Sequence, residues 1–338
     1  MTPADSDWTL PEWPVFGLDE DIRPALARAV DAGRPLVLAT LTAVDGGGPR
    51  PAGTQMVFAE EIVAGYFSGG CVEGDVAGHA RACLADGVPR TLVYGEGSPW
   101  PDIRLLCGAR IEIVLERLAA DDPVLLAMLA AWRSRQPFIY ASDRVSKTYE
   151  PTPRLVIIGG DPTALAIAEL GVKSGFETTL VRPKGPEGSP PVAGLAYRRE
   201  APAQALAAIG LDPWTSVAIA THDIDTDREA LVAALPTQAA YVGLLGARRR
   251  LDGRLAELGA LGVSAAAIAR LRAPIGLDIG GKAPFEVAVS VIGEITALRY
   301  ARANGSTSTT APASAPAAPA GRRNNASAAA KTLTSEES

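Results

Sequence analysis

The feature that most constrains this chain is a regular alternation of short β-rich runs and helical spacing between residues 155 and 261. Runs 155–158, 177–181, 216–220 and 240–244 read as strands, the first of them fully apolar. Helical stretches at 163–174, 203–209, 227–235 and 248–261 fall between and after them. Strands buried on both faces and linked by helices pair in parallel, because the crossover helices cover the sheet. The expected product is a doubly wound parallel sheet, closed by a long apolar helix over 284–302.

The preceding half lacks that rhythm. Ile22, Leu26, Ala29 and Val30 have helical spacing, with Asp19 as the expected cap and Gly33 as the stop. Residues 36–44 read as a strand, and 54–58 and 62–67 as a hairpin joined through Ala59, Glu60 and Glu61. A helix over 72–84 puts Val76, Ala80, Cys83 and Leu84 on one face. Strands at 91–94 and 110–115 and a helix at 124–132 complete an α+β arrangement.

The expected fold class is α/β: an N-terminal α+β domain over 1–147, then a Rossmann-like doubly wound domain over 148–303. The boundary falls in KTYEPTPR at 147–154, where Pro151 and Pro153 disfavour helix. Residues 304–338 hold 10 Ala, 6 Ser, 5 Thr and 3 Pro, with Leu333 the single large aliphatic. That composition buries too little apolar surface to offset ordering entropy, so a disordered tail is expected.

The 338 residues carry 32 Lys and Arg against 38 Asp and Glu, a net charge of −6 without a basic block, which disfavours nucleic acid as a partner. No apolar run approaches the roughly 20 residues of a membrane span, and the first residues do not read as a signal peptide. Three scattered cysteines make no disulfide framework and suit a reducing cytoplasm. Two histidines without Cys-x-x-Cys or His-Glu-x-x-His disfavour structural zinc.

Several segments carry chemistry. DGGGPRPAG at 45–53 follows a strand; its glycines, Gly53 included, let backbone approach a ligand, and Arg50 offers a fork of donors to phosphate or carboxylate. The same letters also describe an ordinary turn with a solvated arginine. SGGCVE at 68–73 places Gly69, Gly70, Cys71 and Glu73 at a helix entrance, where free N–H groups favour a thiolate. A thiolate is a soft metal ligand and a sulfur nucleophile, whereas a free cysteine is otherwise a small buried hydrophobe. Cys107 and Gly108 repeat the cysteine and small-residue pattern before a strand, while Cys83 reads as core.

In the second half, GGDPTA at 159–164 sits where a dinucleotide fold holds pyrophosphate. Asp161 replaces the second glycine of G-x-G-x-x-G/A and adds bulk and charge, and with Pro162 it reads instead as a self-capped helix start. The next strand runs into Arg182 rather than an acid for a ribose diol, so NAD(P) is disfavoured. His222 ends a strand as a proton carrier or a turn residue. GLLGARRR at 243–250, with Gly246 and Arg248, reads as an anion cradle or a helix with exposed arginines, and PIGLDIGGKAP at 274–284 is a glycine-rich loop containing Asp278.

Taken in order, GGGPRPAGTQM (46–56), GYFSGGCVEGDV (65–76), LLCGARIEIVLE (105–116), LVIIGGDPTALAIAEL (155–170), ATHDIDTDREAL (220–231), AYVGLLGARRR (240–250) and APIGLDIGGKAPFEVAVSVIGEI (273–295) resemble the XdhC/CoxI family of molybdenum-hydroxylase accessory proteins. The resemblance implies a protein that binds the molybdenum cofactor (molybdopterin), holds it while a cysteine desulfurase supplies the terminal sulfido ligand, and delivers it to a hydroxylase such as xanthine dehydrogenase. It implies an accessory protein rather than an enzyme with its own turnover, with Cys71 and Cys107 as molybdenum or sulfur contacts and Arg50 toward the pterin phosphate. Homodimerisation stays open. An NAD(P)-dependent oxidoreductase and a scaffold that binds no cofactor are the alternatives. The chain departs from the family at Gly47, Ala109, Asp161 and the missing acids near Arg182, which implies altered or weaker ligand binding in the second half.

Overall fold

The computed structural model describes residues 10–48, 50–60, 62–96, 98, 105, 108–246 and 251–303. The tail beyond 303, expected to be disordered, lies outside the described residues.

The first sheet contains β1 (Leu36–Asp45), β2 (Gln55–Ala59), β3 (Ile62–Ala64), β4 (Arg90–Tyr94) and β5 (Arg110–Leu118) in the order β3-β2-β1-β5-β4. Every pairing is antiparallel. Strand periodicity divides β1 between two cores. Val37, Ala39 and Leu41 pack with Val76, Ala80 and Cys83 of α2 (Glu73–Asp86). Leu36 and Leu38 enter the opposite core with Leu26 of α1 (Arg23–Asp31) and Met128 of α3 (Pro123–Arg133). The sheet is therefore sandwiched between helices, and its central strands are apolar on both faces.

Two expectations shift here. Helix α1 begins at Arg23 rather than at Asp19, and Ile22 stands at its N-cap without a side-chain cap. Pro24 sets the first turn, and Asp21 accepts the Arg23 backbone N–H at 3.0 Å while gripping its guanidinium at 2.8 Å. Residues 147–149 of the expected linker are strand: β6 (Phe138–Ala141) and β7 (Ser146–Tyr149) form a hairpin that buries Tyr140 and Tyr149 against α1 and α3.

The second sheet contains β8 (Arg154–Gly159), β9 (Glu177–Val181), β10 (Ala196–Arg198), β11 (Thr215–Ala220), β12 (Tyr241–Leu244) and β13 (Leu271–Arg272). Their order is β10-β9-β8-β11-β12-β13, all parallel. Numbered within this sheet, that is 3-2-1-4-5-6, the doubly wound Rossmann order, with its switch point between β8 and β11. The helices are α4 (Pro162–Lys173), α5 (Pro202–Ile209), α6 (Ile224–Ala234), α7 (Leu251–Ala260), α8 (Ala265–Ile268) and α9 (Pro284–Ala303). Helix α6 starts earlier than its apolar spacing predicts because the Asp223 carboxylate accepts from the N–H groups of Asp225 and Thr226.

Both sheets belong to one compact unit that ends at Ala297. Arg135 fastens them. Its backbone is left-handed (φ 53°), and its guanidinium reaches Asp212 at 2.7 Å, Glu177 at 2.8 Å and the Thr152 carbonyl at 3.0 Å. Beside it, Trp132 donates its indole N–H to Thr152 Oγ1 at 2.9 Å.

Gly65, just after β3, shows how tightly the next loop is tied down. A Cβ there would lie 2.5 Å from the Gln55 carbonyl oxygen, and its φ is +87°. Gly65→Ala is expected to destabilise the protein by at least about 2 kcal/mol through strain and overlap, read as a lower urea midpoint.

Candidate functional site

Antiparallel pairing collects the glycine-rich loops at one end of the first sheet. Asp45 pairs with Arg110, Ala64 with Val57 and Tyr94 with Ile111, so loops 46–54, 65–72 and 95–109 all leave the same edge. They nest closely. A Cβ on Gly46 would meet the Ala109 Cα at 3.5 Å, and one on Gly95 would fall 2.2 Å from the Ala109 carbonyl oxygen.

Glu73 organises this edge from beneath. It is 1% exposed. Its carboxylate accepts from the N–H groups of Phe67, Ser68, Gly69, Gly70 and Val72 at 2.7–3.3 Å, and from Ser68 Oγ at 2.6 Å. Burial works to raise the pKa of this carboxyl, but the Ser68 hydroxyl and the loop amides outweigh it and hold the group below its ordinary range. Gly69 (φ +80°) and Gly70 (φ +120°) provide the left-handed turns that let one carboxylate face so many donors.

Cys71 stands on this clamped loop, exposed, so the small-hydrophobe alternative does not hold for it. Its own N–H donates to Ser68 Oγ at 3.0 Å. The amides expected to bear on the thiol or on an anion are those already engaged by Glu73 and Ser68. The loop is therefore a rigid mount for the thiol rather than a phosphate cradle. Cys83, in contrast, is fully buried beside β5, and burial pushes its thiol pKa up. Cys107 lies outside the described residues, while its neighbour Gly108 (φ +71°) is exposed at the same edge.

Arg50 is not a solvated turn residue. Its side chain is 19% exposed. It donates to Glu20 Oε1 at 2.6 Å and to Tyr66 Oη at 3.4 Å, and its guanidinium lies 4.8 Å from the Tyr66 ring centroid. Its Nε is buried without a hydrogen-bond partner among the described residues. Tyr66 belongs to the Cys71 loop, so Arg50 and Cys71 are tied to one short segment. Gly53 (φ +88°) lies against the stem of Lys147 on β7. Tyr66 lies within GYFSGGCVEGDV and Lys147 opens KTYEPTPR, but no spacing links residues 20, 50, 66 and 147, so their meeting with Arg50 carries no signal in the sequence.

The remaining predicted residues gather on the other sheet, at the carboxyl ends of the parallel strands. Asp161 caps α4 by accepting from Ala164 N at 2.8 Å, and its second oxygen meets Nε2 of the exposed His222 at 3.1 Å. The pair sits at the switch point, over the helix N-terminus that would face a pyrophosphate. A Cβ on Gly159 would lie 2.2 Å from the Ala220 carbonyl oxygen, and one on Gly160 would lie 2.5 Å from Arg182, whose side chain crosses the turn. Gly246 and Asp278 are exposed on neighbouring loops, and Arg248 lies outside the described residues. Glu286 accepts from the N–H groups of Lys282 and Ala283, which fixes the end of the 274–284 loop. Among the described residues no group of three or more His, Cys, Asp or Glu is set to hold a metal ion. No described helix is long and apolar enough to cross a membrane.

Comparison with known proteins accounts for this pairing of folds. The XdhC Rossmann domain matches residues 155–295, and the XdhC and CoxI family matches residues 29–95. The molybdenum cofactor insertion chaperone PaoD of Escherichia coli (strain K12) is 32% identical over 87% of this chain and 93% of its own length. A probable xanthine dehydrogenase component from Bacillus subtilis (strain 168) is 24% identical over 78% of this chain and 93% of its own. A crystal structure described as a xanthine dehydrogenase from Bacillus halodurans superposes with a TM-score of 0.69 at 22% identity, covering 83% of this chain and 96% of that one. The chain belongs to the XdhC/CoxI family.

Two outcomes follow from the geometry. Glu73→Gln keeps the shape but removes the charge that several amides share, and is expected to cost about 2 kcal/mol at pH 7. Because the folded pKa of Glu73 lies below its unfolded value, its contribution is fully present above the unfolded pKa of about 4.5 and is lost as pH falls through the folded value. Urea melts at pH 7 and pH 3 should show the gap between wild type and variant narrowing at the lower pH. At the switch point, Asp161→Gly removes a carboxylate from the pyrophosphate position, so NADH fluorescence titration is expected to show tighter binding by the variant than by wild type.

Proposed function

We propose that this protein binds the molybdenum cofactor, holds it while a cysteine desulfurase provides the terminal sulfido ligand, and passes it to a molybdenum hydroxylase of the xanthine dehydrogenase kind. The proposed setting is the cytoplasm. Membership of the XdhC/CoxI family and the chaperone role named for the Escherichia coli relative support the reading. The observation that carries it is the exposed Cys71 thiol on a loop immobilised by Glu73.

The residues suit such a cargo. Molybdenum with dithiolene and sulfido ligands is a soft centre, and a thiolate is a soft partner. Cys71 stands at the open edge, and Cys107 is the second sulfur in the proposal. Glu73 keeps the Cys71 loop from refolding around an incoming ligand. The Arg50 guanidinium keeps part of its surface at this edge and is held by the exposed Glu20, which a pterin phosphate oxygen would replace. Among the described residues, Asp161 with His222 and the Arg182 side chain lie over the second sheet's glycine turn, which supports the first sheet's edge as the proposed cargo site.

The test is purification of the full chain from a molybdenum-replete host with metal and pterin analysis. Wild type is expected to retain both, and Cys71→Ala to lose at least about tenfold in molybdenum per chain. Cys83→Ala should retain cargo while losing about 1 kcal/mol of stability. Equal molybdenum in Cys71→Ala and wild type would remove Cys71 from the site, and no pterin in wild type would overturn the reading itself.

A further inference from the structure

Lys147 belongs to none of the sequence motifs, yet it stands beside the candidate site. It projects from β7 with its stem against Gly53, whose Cβ position is 3.5 Å from Lys147 Cβ. Its ammonium lies 4.5 Å from the Tyr149 ring centroid. The charged groups facing it are Glu20 and Asp21 from the segment before α1, Arg23 from α1, and Arg50 from the glycine-rich loop. Two of those cations are already matched. Arg23 is held by Asp21 through Nε at 2.8 Å, and Arg50 by Glu20 at 2.6 Å. Lys147 makes no ion pair among the described residues. Among the described groups that act most strongly on one another here, three cations thus stand with two carboxylates in a half-buried setting.

The surplus charge coincides with unfilled hydrogen-bonding capacity. Arg50 Nε is buried without a partner, and the Lys147 ammonium has three donors with only an aromatic face beside it. Native structures rarely leave a buried guanidinium N–H unsatisfied, and the partly exposed Lys147 ammonium has no hydrogen-bond acceptor among the described residues. The carboxylate that engages Arg50 is itself loosely held: Glu20 is 63% exposed and can turn to solvent when a stronger anion arrives. A phosphate dianion offers enough oxygens to satisfy a guanidinium and an ammonium together.

We propose that Lys147 and Arg50 form a subsite for a phosphate monoester, walled by Gly53 and Tyr66. The inference deepens the cargo reading by naming an anchor for the ligand's phosphate, but the subsite itself needs no molybdenum. A pterin phosphate and free inorganic phosphate share the chemistry, and the arms of the test separate them. Burial pushes the Lys147 ammonium down to about 8, with Glu20 opposing and Arg50 adding to the shift. Anion binding that requires the charged ammonium therefore weakens as pH rises through that value.

The experiment is calorimetric titration of the full chain with inorganic phosphate at pH 7 and pH 9. Counted per phosphate dianion, wild type is expected to bind about tenfold more weakly at pH 9, the ratio of charged ammonium at the two pH values. Lys147→Met should bind weakly at both, and Lys147→Arg should bind at both with little pH dependence. Lys147→Met is expected to melt at or above the wild-type temperature, since it replaces a desolvated charge with an apolar stem. Equal phosphate affinity in wild type and Lys147→Met, or no phosphate binding by wild type, overturns the subsite. Pterin content of the same variants distinguishes the two claims. Phosphate binding without pterin in wild type would break the cargo reading alone, whereas pterin retained by Lys147→Met with no phosphate binding in wild type would break this one alone.

Discussion

The loop edge of the first sheet depends on one buried carboxylate. Glu73 lies at the start of α2, where an acid is favoured by the helix dipole, and it turns back to take the N–H groups of the segment that precedes the helix. A carboxylate with few hydrogen bonds would be too costly to bury there, and a loop with five unsatisfied amides would be equally poor. Each solves the other's problem. The consequence is a loop whose backbone is committed and whose side chains at 66 and 71 are free to serve other ends.

From that clamp the rest of the site follows. Tyr66 is set by the loop's entry, and its ring and hydroxyl position Arg50. Arg50 and Gly53 belong to the connection between β1 and β2, which leaves the same edge because the strands are antiparallel. Gly53 in turn touches Lys147 on the hairpin that covers the opposite core. The edge thus combines a soft thiol with two hard cations, a pairing suited to a ligand that is sulfur-rich at one end and phosphorylated at the other. The second sheet has taken a different course. Asp161 serves its own helix and His222, so the Rossmann frame keeps its order while its nucleotide turn is internally occupied.

The alternating second half was legible because short β-rich runs alternate regularly with helical spacing; β10, α8 and β13 escaped because two to four residues carry no period. The Cys71 loop was visible as glycine, cysteine and acid in a row. What the acid does was not, since spacing does not say whether Glu73 points to ligand or back under its own loop. The Arg50, Tyr66 and Lys147 group was invisible for a simpler reason: residues separated by about a hundred positions meet only through the antiparallel sheet and the hairpin packed on it. Asp161 was legible as both cap and obstacle because the two roles share one position.

The central claim is that the Glu73-clamped loop presents Cys71 to the molybdenum of a bound cofactor. X-ray absorption at the molybdenum edge on cofactor-loaded full chain tests it most directly, through the number of sulfur scatterers around the metal. One fewer sulfur is expected in Cys71→Ser than in wild type, with the oxygen shell gaining in its place. An unchanged sulfur count in that variant would contradict it.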